Sequence, residues 1–197
     1  SNIINAILML IAISFYRQFG ELFNIRFLDE ILFAGLAITV PIVLMHFGMD
    51  TQWYLVPLLL GLFVVYQIFD RRLNRPDPNE ENAEESVGNL PLGIILGVTA
   101  LTSIVIAGIF LGDATAAVIE QMNIRPAIAG WILGLVTSIP EMVSFFAVYA
   151  TSKREGNEHE LSDTQEALDN LTGSNMSNVG IVYPLGLLAF LVATSLG

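Results

Sequence analysis

The chain has 197 residues, of which 54% are hydrophobic and only 14% are charged, and the apolar residues come in long runs. Globular domains carry about a quarter charged residues, so this composition excludes a disordered chain and indicates a protein of the lipid bilayer. The net charge of −11 disfavours a nucleic-acid partner, because phosphate binding requires basic patches. With no cysteine and two histidines, thiolate chemistry and a histidine-rich metal site are excluded.

Six apolar segments follow one another and predict an all-α, polytopic transmembrane helical bundle. The first is too short to span a bilayer at about 1.5 Å per residue unless it begins before residue 1. We expect the fourth to continue to Met122 as one tilted helix, and the sixth to be interrupted at Gly173, Gly180 and Pro184. The segments run from Ile3 to Tyr16, Ile31 to Phe47, Trp53 to Phe69, Leu90 to about Leu111, Ala127 to Ala150, and about Gln165 to Ser195.

The basic residues alternate between successive loops. Seven of the eight Lys and Arg residues lie in residues 17–30, 70–89 and 151–164. The positive-inside rule predicts that these three loops are cytoplasmic, in a multi-pass protein of the cell membrane.

A polar, acidic stretch separates two groups of three apolar segments. The sequence therefore predicts a remainder of a first half over 1–70, an acidic cytoplasmic linker over 71–89, and a second half over 90–197. The acidic residues between positions 75 and 88 have two interpretations, a low-affinity Ca²⁺ sensor or docking site and a solvated connector. Their spacing does not match an EF-hand loop, which favours the connector.

Glu141 is an acidic residue placed inside an apolar segment, where a carboxylate costs several kcal/mol unless it is paired, bound to an ion or facing water. Thr137 and Ser138 precede it by four and three residues, which puts both hydroxyls on its side of a helix. Pro140 donates no hydrogen bond, so the carbonyl of Val136 is left free. Such an all-oxygen cluster suits a hard cation such as Ca²⁺. The alternative is a protonated, hydrogen-bonded structural glutamate.

The sixth segment begins with a second polar cluster. Asn170, Ser174 and Asn178 recur every four residues and share a helical face, where their oxygens would complete a cation shell. Interhelical hydrogen bonding is the alternative. The S-N-x-x-N pattern at Ser174 to Asn178 also occurs at Ser1 to Asn5. The predicted orientations of the two copies are opposite, as in an inverted-topology repeat.

These motifs resemble those of the calcium/cation antiporter superfamily, which includes the sodium/calcium exchangers. Residues 136–141 (V-T-S-I-P-E) are similar to the family's G-T-S-x-P-E, and residues 173–178 (G-S-N-M-S-N) are similar to its G-S-N-x-x-N/D. Residues 111–114 are similar to the family's lead-in. The similarity runs from about Leu90 to the end, and Ser1 to Asn5 is similar to the motif of the first repeat.

The resemblance implies part of an inverted-repeat (alpha-repeat) antiporter fold of ten helices, with this chain running from within the third helix to the end of the eighth. The chain would then be a fragment, inactive alone, that needs a missing first repeat and its glutamate to complete the site. The implied activity is exchange of Ca²⁺, or a similar cation, for Na⁺ or H⁺ by alternating access in the bilayer, with no cofactor. The implied ligands of the metal ion are Glu141, Thr137, Ser138, Ser174, Asn178, Asn5 and Ser1.

The chain departs from the family pattern at four positions. Val136 and Asp169 stand where glycine is usual, and both repeats end in asparagine, at Asn5 and Asn178. Many sodium/calcium exchangers carry aspartate in the second repeat, so this site holds less negative charge. H⁺ carried by Glu141 is therefore an alternative to Na⁺ as the coupling ion.

Two other functions fit the composition. An intramembrane enzyme using Glu141 and Ser138 is disfavoured, because the apolar core offers no basic partner: His46 lies near a helix end and His159 lies in a charged loop. A non-transporting helical membrane subunit is the other, and it predicts no stabilisation by cations.

Overall fold

The computed structural model describes residues 1–73, 90–123, 125–155 and 161–196. Within these ranges the chain is helical and has no β-strand, so the predicted all-α fold is confirmed. The predicted residues 75–88 of the acidic linker and His159 lie outside the described residues. The helices are α1 (Asn2–Phe15), α2 (Leu28–His46), α3 (Leu55–Leu73), α4 (Leu90–Met122), α5 (Pro126–Thr137), α6 (Ile139–Glu155), α7 (Leu161–Ser177) and α8 (Tyr183–Leu196).

Helix length and surface composition indicate a membrane bundle. In the described part of the chain, Ile25–His46 and Leu161–Ser195 are long and apolar enough to cross a bilayer. A bent pair of helices, described below, makes a third span if it is counted as one. Large apolar side chains lie on the outside while asparagines are buried: Leu58 is 61% exposed, whereas Asn5 is 0% exposed. This distribution suits a protein surrounded by lipid rather than by water.

The helices pack as two units, Ser1–Asp70 with Gly134–Gly197, and Arg71–Leu133. The second unit contains α4, which runs to Met122 without a break, as predicted. Hydroxyl groups on this helix donate to the carbonyl four residues earlier, as Thr102 Oγ1 does to Val98 O at 2.8 Å. The predicted division into 1–70, 71–89 and 90–197 concerns the repeats rather than packing, and it stays a prediction.

Helix α7 is the centre of the first unit and packs against α1, α2 and α6. On one side, apolar residues of α7 meet α1 and α6, with Ile13 and Phe145 completely buried. On the other side, Met176 and Val179 pack against α2 and α3. The polar residues of α7 are therefore held at fixed positions between four other helices.

The fifth apolar segment is not a single helix. It bends by 43° between Ile128–Thr137 and Ile139–Arg154. The amide of Ser138 donates to the carbonyls of both Gly134 and Leu135, at 3.1 Å each, and the regular helix stops there. Pro140 accounts for the bend, since it lacks an N–H and its ring clashes with the carbonyl of the preceding turn. The continuous helical face that we expected for Thr137, Ser138 and Glu141 is therefore interrupted.

The sixth apolar segment is interrupted less than we expected. Its helical path continues from Leu161 to Ser195, with a π-helix at Asn178–Val182 in place of unwound backbone. Gly180, within the π-helix, allows α3 to approach: a Cβ added there would overlap the side chain of Phe63 and lie 3.2 Å from Leu59 O. Single π-helical turns inside longer helices occur frequently at functional sites.

Candidate cation site

Glu141 lies in the first turn of α6, directly after the bend. The bend therefore places the side chain at the N-terminus of α6 rather than in the middle of a long helix. Its Oε1 accepts a hydrogen bond of 2.8 Å from Ser174 Oγ of α7. Its Oε2 is buried and has no hydrogen-bond partner. One oxygen of Glu141 is thus fixed by α7, and the other has no hydrogen-bond partner.

The two S-N-x-x-N motifs meet and exchange equivalent hydrogen bonds. Asn5 Nδ2 donates to Asn175 Oδ1 at 3.0 Å, and Asn178 Nδ2 donates to Asn2 Oδ1 at 2.9 Å. The middle asparagines also pair with each other's backbone: Asn2 Nδ2 donates to Asn175 O at 3.3 Å, and Asn175 Nδ2 donates to Asn2 O at 3.2 Å. This arrangement has the local two-fold symmetry that an inverted repeat produces.

The last asparagine of each motif also reaches the serine of the other. Asn5 Nδ2 lies 3.4 Å from Ser174 Oγ, and Asn178 Nδ2 donates to Ser1 Oγ at 3.1 Å. Four of the predicted ligands are therefore brought together in one network across α1 and α7. Glu141 joins this network through Ser174.

Sequence reasoning missed Asn2 and Asn175 as members of the site. Asn175 is completely buried, and Asn2 also donates to Ala37 O of α2 at 2.9 Å. The signal was present, because the second letter of S-N-x-x-N is asparagine in both copies. These two residues hold the copies together, while the serines and last asparagines carry the oxygens that we predicted as ligands.

Three buried oxygens at or beside this network have no hydrogen-bond partner: Asn5 Oδ1, Ser138 Oγ and Glu141 Oε2. Leaving a buried polar atom unpaired costs about 1–3 kcal/mol, so native structures rarely do it without reason. Carboxylate, amide and hydroxyl oxygens are the ligands that hard cations such as Ca²⁺ and Na⁺ take. Unpaired oxygens of all three kinds are therefore consistent with a cation site.

Thr137 and Ser138 lie at the bend rather than on α6. Thr137 is exposed, and its Oγ1 donates to Gly134 O at 3.1 Å, whereas Ser138 is completely buried. A Cβ added at Gly134 would lie 3.5 Å from the backbone nitrogen of Ser1, so the start of α1 approaches the end of α5 closely. The ligand roles of these residues stay predictions.

The described part of the chain contains no group of three or more His, Asp or Glu side chains arranged to hold a metal ion. A cation at this network would accordingly meet one carboxylate, Glu141, and otherwise neutral oxygens. Such a site binds a divalent cation less strongly than one with two or three carboxylates, because ligand charge tunes affinity.

Comparison with protein families gives a match to the sodium/calcium exchanger proteins over residues 92–195, which is more than half of the chain. The chain belongs to this family. Membership makes it a membrane protein of a cation-exchange family, and the family consists of transporters rather than enzymes. Comparison with curated proteins and with solved structures finds no match.

The family match includes Glu141 and the second S-N-x-x-N motif but not the first. The first motif is linked to them by hydrogen bonds instead, through Asn5 and Asn2. His46, the last residue of α2, is exposed. An enzyme built on Glu141 and Ser138 therefore gains no support from the family or from the described histidine.

Proposed function

We propose that this protein is a secondary active antiporter that exchanges Ca²⁺, or a similar cation, for Na⁺ or H⁺ by alternating access. The observation that carries the proposal is the state of Glu141. One carboxylate oxygen is held by Ser174 on a neighbouring helix, and the other is buried without a partner. Asn5 Oδ1 and Ser138 Oγ are likewise buried without a hydrogen-bond partner. In this proposal these oxygens are the ligands of the transported ion.

The same oxygens serve both transported species. Ca²⁺ and the coupling ion compete for Glu141 and its neighbours, so only one of them is bound at a time, and exchange follows from that competition. The predicted ligands Thr137, Ser138, Ser174 and Asn178 complete this half of the site, and Ser1 and Asn5 contribute from the first repeat. The resemblance assigns a further glutamate ligand to the first repeat.

The proposed setting is the cell membrane, with residues 17–30, 70–89 and 151–164 on the cytoplasmic side. The support is the alternation of basic residues between loops. In the structure, Arg17 and Lys153 are both exposed, as residues at a membrane surface would be.

Ca²⁺ flux in proteoliposomes tests the exchange, with an intact first repeat present. The vesicles are given either a Na⁺ gradient or a pH gradient, and Ca²⁺ uptake is followed. Uptake driven by Na⁺ would make the protein a sodium/calcium exchanger despite its neutral Asn5 and Asn178. Uptake driven only by protons would make Glu141 the shared proton and cation site. No Ca²⁺ uptake under either gradient would contradict Ca²⁺ as the transported ion.

Glu141→Gln tests the role of this carboxylate. The substitution removes the charge and keeps the size and one oxygen, so we expect Ca²⁺ exchange to be abolished while the protein stays folded. Glu120→Gln is the matched control, since Glu120 is exposed on α4. The control should exchange at the wild-type rate. A Ca²⁺ exchange rate of Glu141→Gln within about twofold of the wild-type rate would contradict the proposal.

A further inference from the structure

A cavity of about 420 Å³ lies where α1 and α6 end, at the opposite end of both helices from the cation site. Its lining includes two basic side chains, Arg17 and Lys153, and no acidic one among the described residues. The whole chain carries 19 acidic and 8 basic residues, so this local excess of positive charge runs against its composition. The charge suits an anionic ligand, and the volume is within the range of small-ligand sites.

Aromatic rings and buried polar side chains form the rest of the lining. Tyr16 and Tyr149 stack with their ring centroids 5.4 Å apart, and Tyr149 is only 1% exposed. Gln18 and Ser152 also line the cavity and are buried. Because these side chains are fixed by packing, the cavity has a defined shape. The side-chain amide of Gln18 carries N–H groups of the kind that bind anionic oxygens.

Arg17 is held at the cavity by a backbone conformation that arginine rarely adopts. It follows the last capping residue of α1 and has a φ of 61°, in the left-handed region. Its N–H donates to Ser14 O at 3.1 Å, and the N–H of Gln18 donates to Ile13 O at 3.0 Å. This is the Schellman arrangement, in which glycine is the usual residue at this position. An arginine here costs conformational free energy, and strained residues of this kind cluster at binding and active sites.

The chain that leads away from Arg17 exposes large apolar side chains. Phe19 and Phe23 belong to one short 3₁₀ helix and Ile25 begins the next, and all three are exposed, Phe23 by 79%. Phe15, which lines the cavity, is also exposed. Basic residues beside exposed aromatic rings are typical of segments at the surface of a bilayer. A ligand that carries both a negative charge and apolar chains therefore fits this region better than a free anion.

The distance from the cation site places the cavity at the level of the lipid headgroups. Helix α6 rises by about 18 Å from Glu141 to Lys153, and the hydrocarbon layer on each side of the bilayer midplane is about 15 Å thick. With Glu141 near the midplane, Lys153 reaches the headgroups. This depth rests on the proposed function, whereas the charge and the lining of the cavity do not.

We propose that this cavity binds the phosphate headgroup of an anionic phospholipid, with Arg17 and Lys153 contacting the phosphate and the acyl chains lying along the exposed side chains of Phe15 and Phe19. Arginine and lysine are the side chains that bind phosphate oxygens, and basic pockets between transmembrane helices hold lipid headgroups in this way. The lipid contacts the ends of α1 and α6, which pack against each other. Bound lipid therefore stabilises the folded protein.

Thermal unfolding of the purified protein in a neutral detergent tests the site, because a ligand of the folded state raises the melting temperature Tm. Phosphatidylglycerol is the anionic lipid, phosphatidylcholine is the lipid without net charge, and inorganic phosphate is the headgroup chemistry without acyl chains. We expect phosphatidylglycerol alone to raise Tm. An equal rise with phosphatidylcholine, or with inorganic phosphate, would overturn the assignment to an anionic lipid.

Removing the two charges tests which residues bind the lipid. Arg17→Gly and Lys153→Gln should each raise the phosphatidylglycerol concentration for half-maximal stabilisation about fivefold, and the double variant about 30-fold. Arg26→Gln and Arg154→Gln are the matched controls, since both residues are basic, exposed and outside the cavity lining. The controls should change this concentration less than about twofold, because exposed charges away from the lipid are screened. Equal increases in control and cavity variants would indicate general attraction to a basic surface and would overturn the site.

Arg17→Gly also separates lipid binding from a structural role. Glycine adopts a φ of 61° without strain, so without lipid this variant should unfold at the wild-type temperature or above it. Arg17→Lys keeps the charge and should bind phosphatidylglycerol within about threefold of the wild-type concentration. An Arg17→Gly protein that gains as much stability from phosphatidylglycerol as the wild type would contradict the proposal. The measurement needs no ion flux, so a protein that fails to exchange Ca²⁺ but shows this lipid dependence refutes the proposed function and leaves the lipid site standing.

Discussion

The two S-N-x-x-N motifs have the same sequence pattern and different surroundings. Their asparagines make matching bonds, since each last asparagine donates to the middle asparagine of the other copy at 2.9–3.0 Å. Their serines differ: Ser174 donates to the carboxylate of Glu141, while Ser1 is exposed and its own hydroxyl donates to Asn2 Oδ1 at 3.5 Å. The comparison separates the residues that hold the copies together from the one that fixes the carboxylate.

The copies also differ six residues after the serine. This position is Gly180 in the second copy and Ile7 in the first. Gly180 is buried against Leu59 and Phe63 of α3, whereas Ile7 is 45% exposed. The asparagine bonds are therefore matched between the two copies, and the packing of α3 against one copy accounts for where the match stops.

The largest effect is expected at this asymmetric position. In Gly180→Ala the new methyl group overlaps Phe63 and meets a backbone carbonyl that cannot move freely, so the free energy of unfolding should fall by about 3 kcal/mol. The measurement is the unfolding transition in detergent, followed by circular dichroism. Gly173→Ala is the control, because its methyl would meet only Tyr66 OH, at an ordinary 3.6 Å, and should change stability by less than about 1 kcal/mol. Equal stability of the two variants would show that α3 does not approach the second copy closely.

A smaller effect is expected when the symmetric bonds are removed one at a time. Asn5→Ala removes donors to Asn175 and Ser174 from a completely buried position, and should destabilise the protein by about 2 kcal/mol. Asn178→Ala removes the equivalent donors to Asn2 and Ser1, but from a half-buried position where water replaces them, so about 1 kcal/mol is expected.

Thermal unfolding of both variants in the same detergent checks this order. The double variant sharpens it, because the partners Asn175 and Asn2 bond to each other and the two effects should therefore not simply add. If Asn178→Ala lowered the free energy of unfolding more than Asn5→Ala does, burial would not govern the strength of these hydrogen bonds.

Much of the fold could be predicted because apolar runs fix where helices lie in a membrane protein. The extent of α4 to Met122 followed from its composition, and Glu141 stood out because a carboxylate is costly among apolar residues. The bend at Ser138 did not follow. Pro140 was recognised as a residue that frees a carbonyl, but whether a proline kinks a helix or ends it depends on the helices packed around it.

The parts of the site that could not be predicted depend on contacts between distant residues. Gly180 was expected to interrupt a helix, and its actual use is to admit α3, which no local pattern reveals. Asn2 and Asn175 were overlooked for the same reason, since their pairing spans the chain.

The last effect is expected at the serines, on ion affinity rather than on stability, and it tests the functional side of the comparison. Ser174→Ala removes the donor to Glu141 Oε1, a charge-assisted bond worth about 1.5 kcal/mol. The Ca²⁺ concentration for half-maximal uptake in proteoliposomes should therefore rise about tenfold, since about 1.4 kcal/mol corresponds to a factor of ten. Among the described residues, the Ser1 hydroxyl bonds to Asn2 and Asn178 and to no carboxylate. Ser1→Ala should therefore raise the Ca²⁺ concentration for half-maximal uptake less than about threefold. Equal increases would mean that Ser174 acts only as a ligand equivalent to Ser1. A tenfold rise confined to Ser174→Ala would instead show that the hydroxyl of Ser174 holds the carboxylate of Glu141 in place. That contact would then be what distinguishes the second copy functionally from the first.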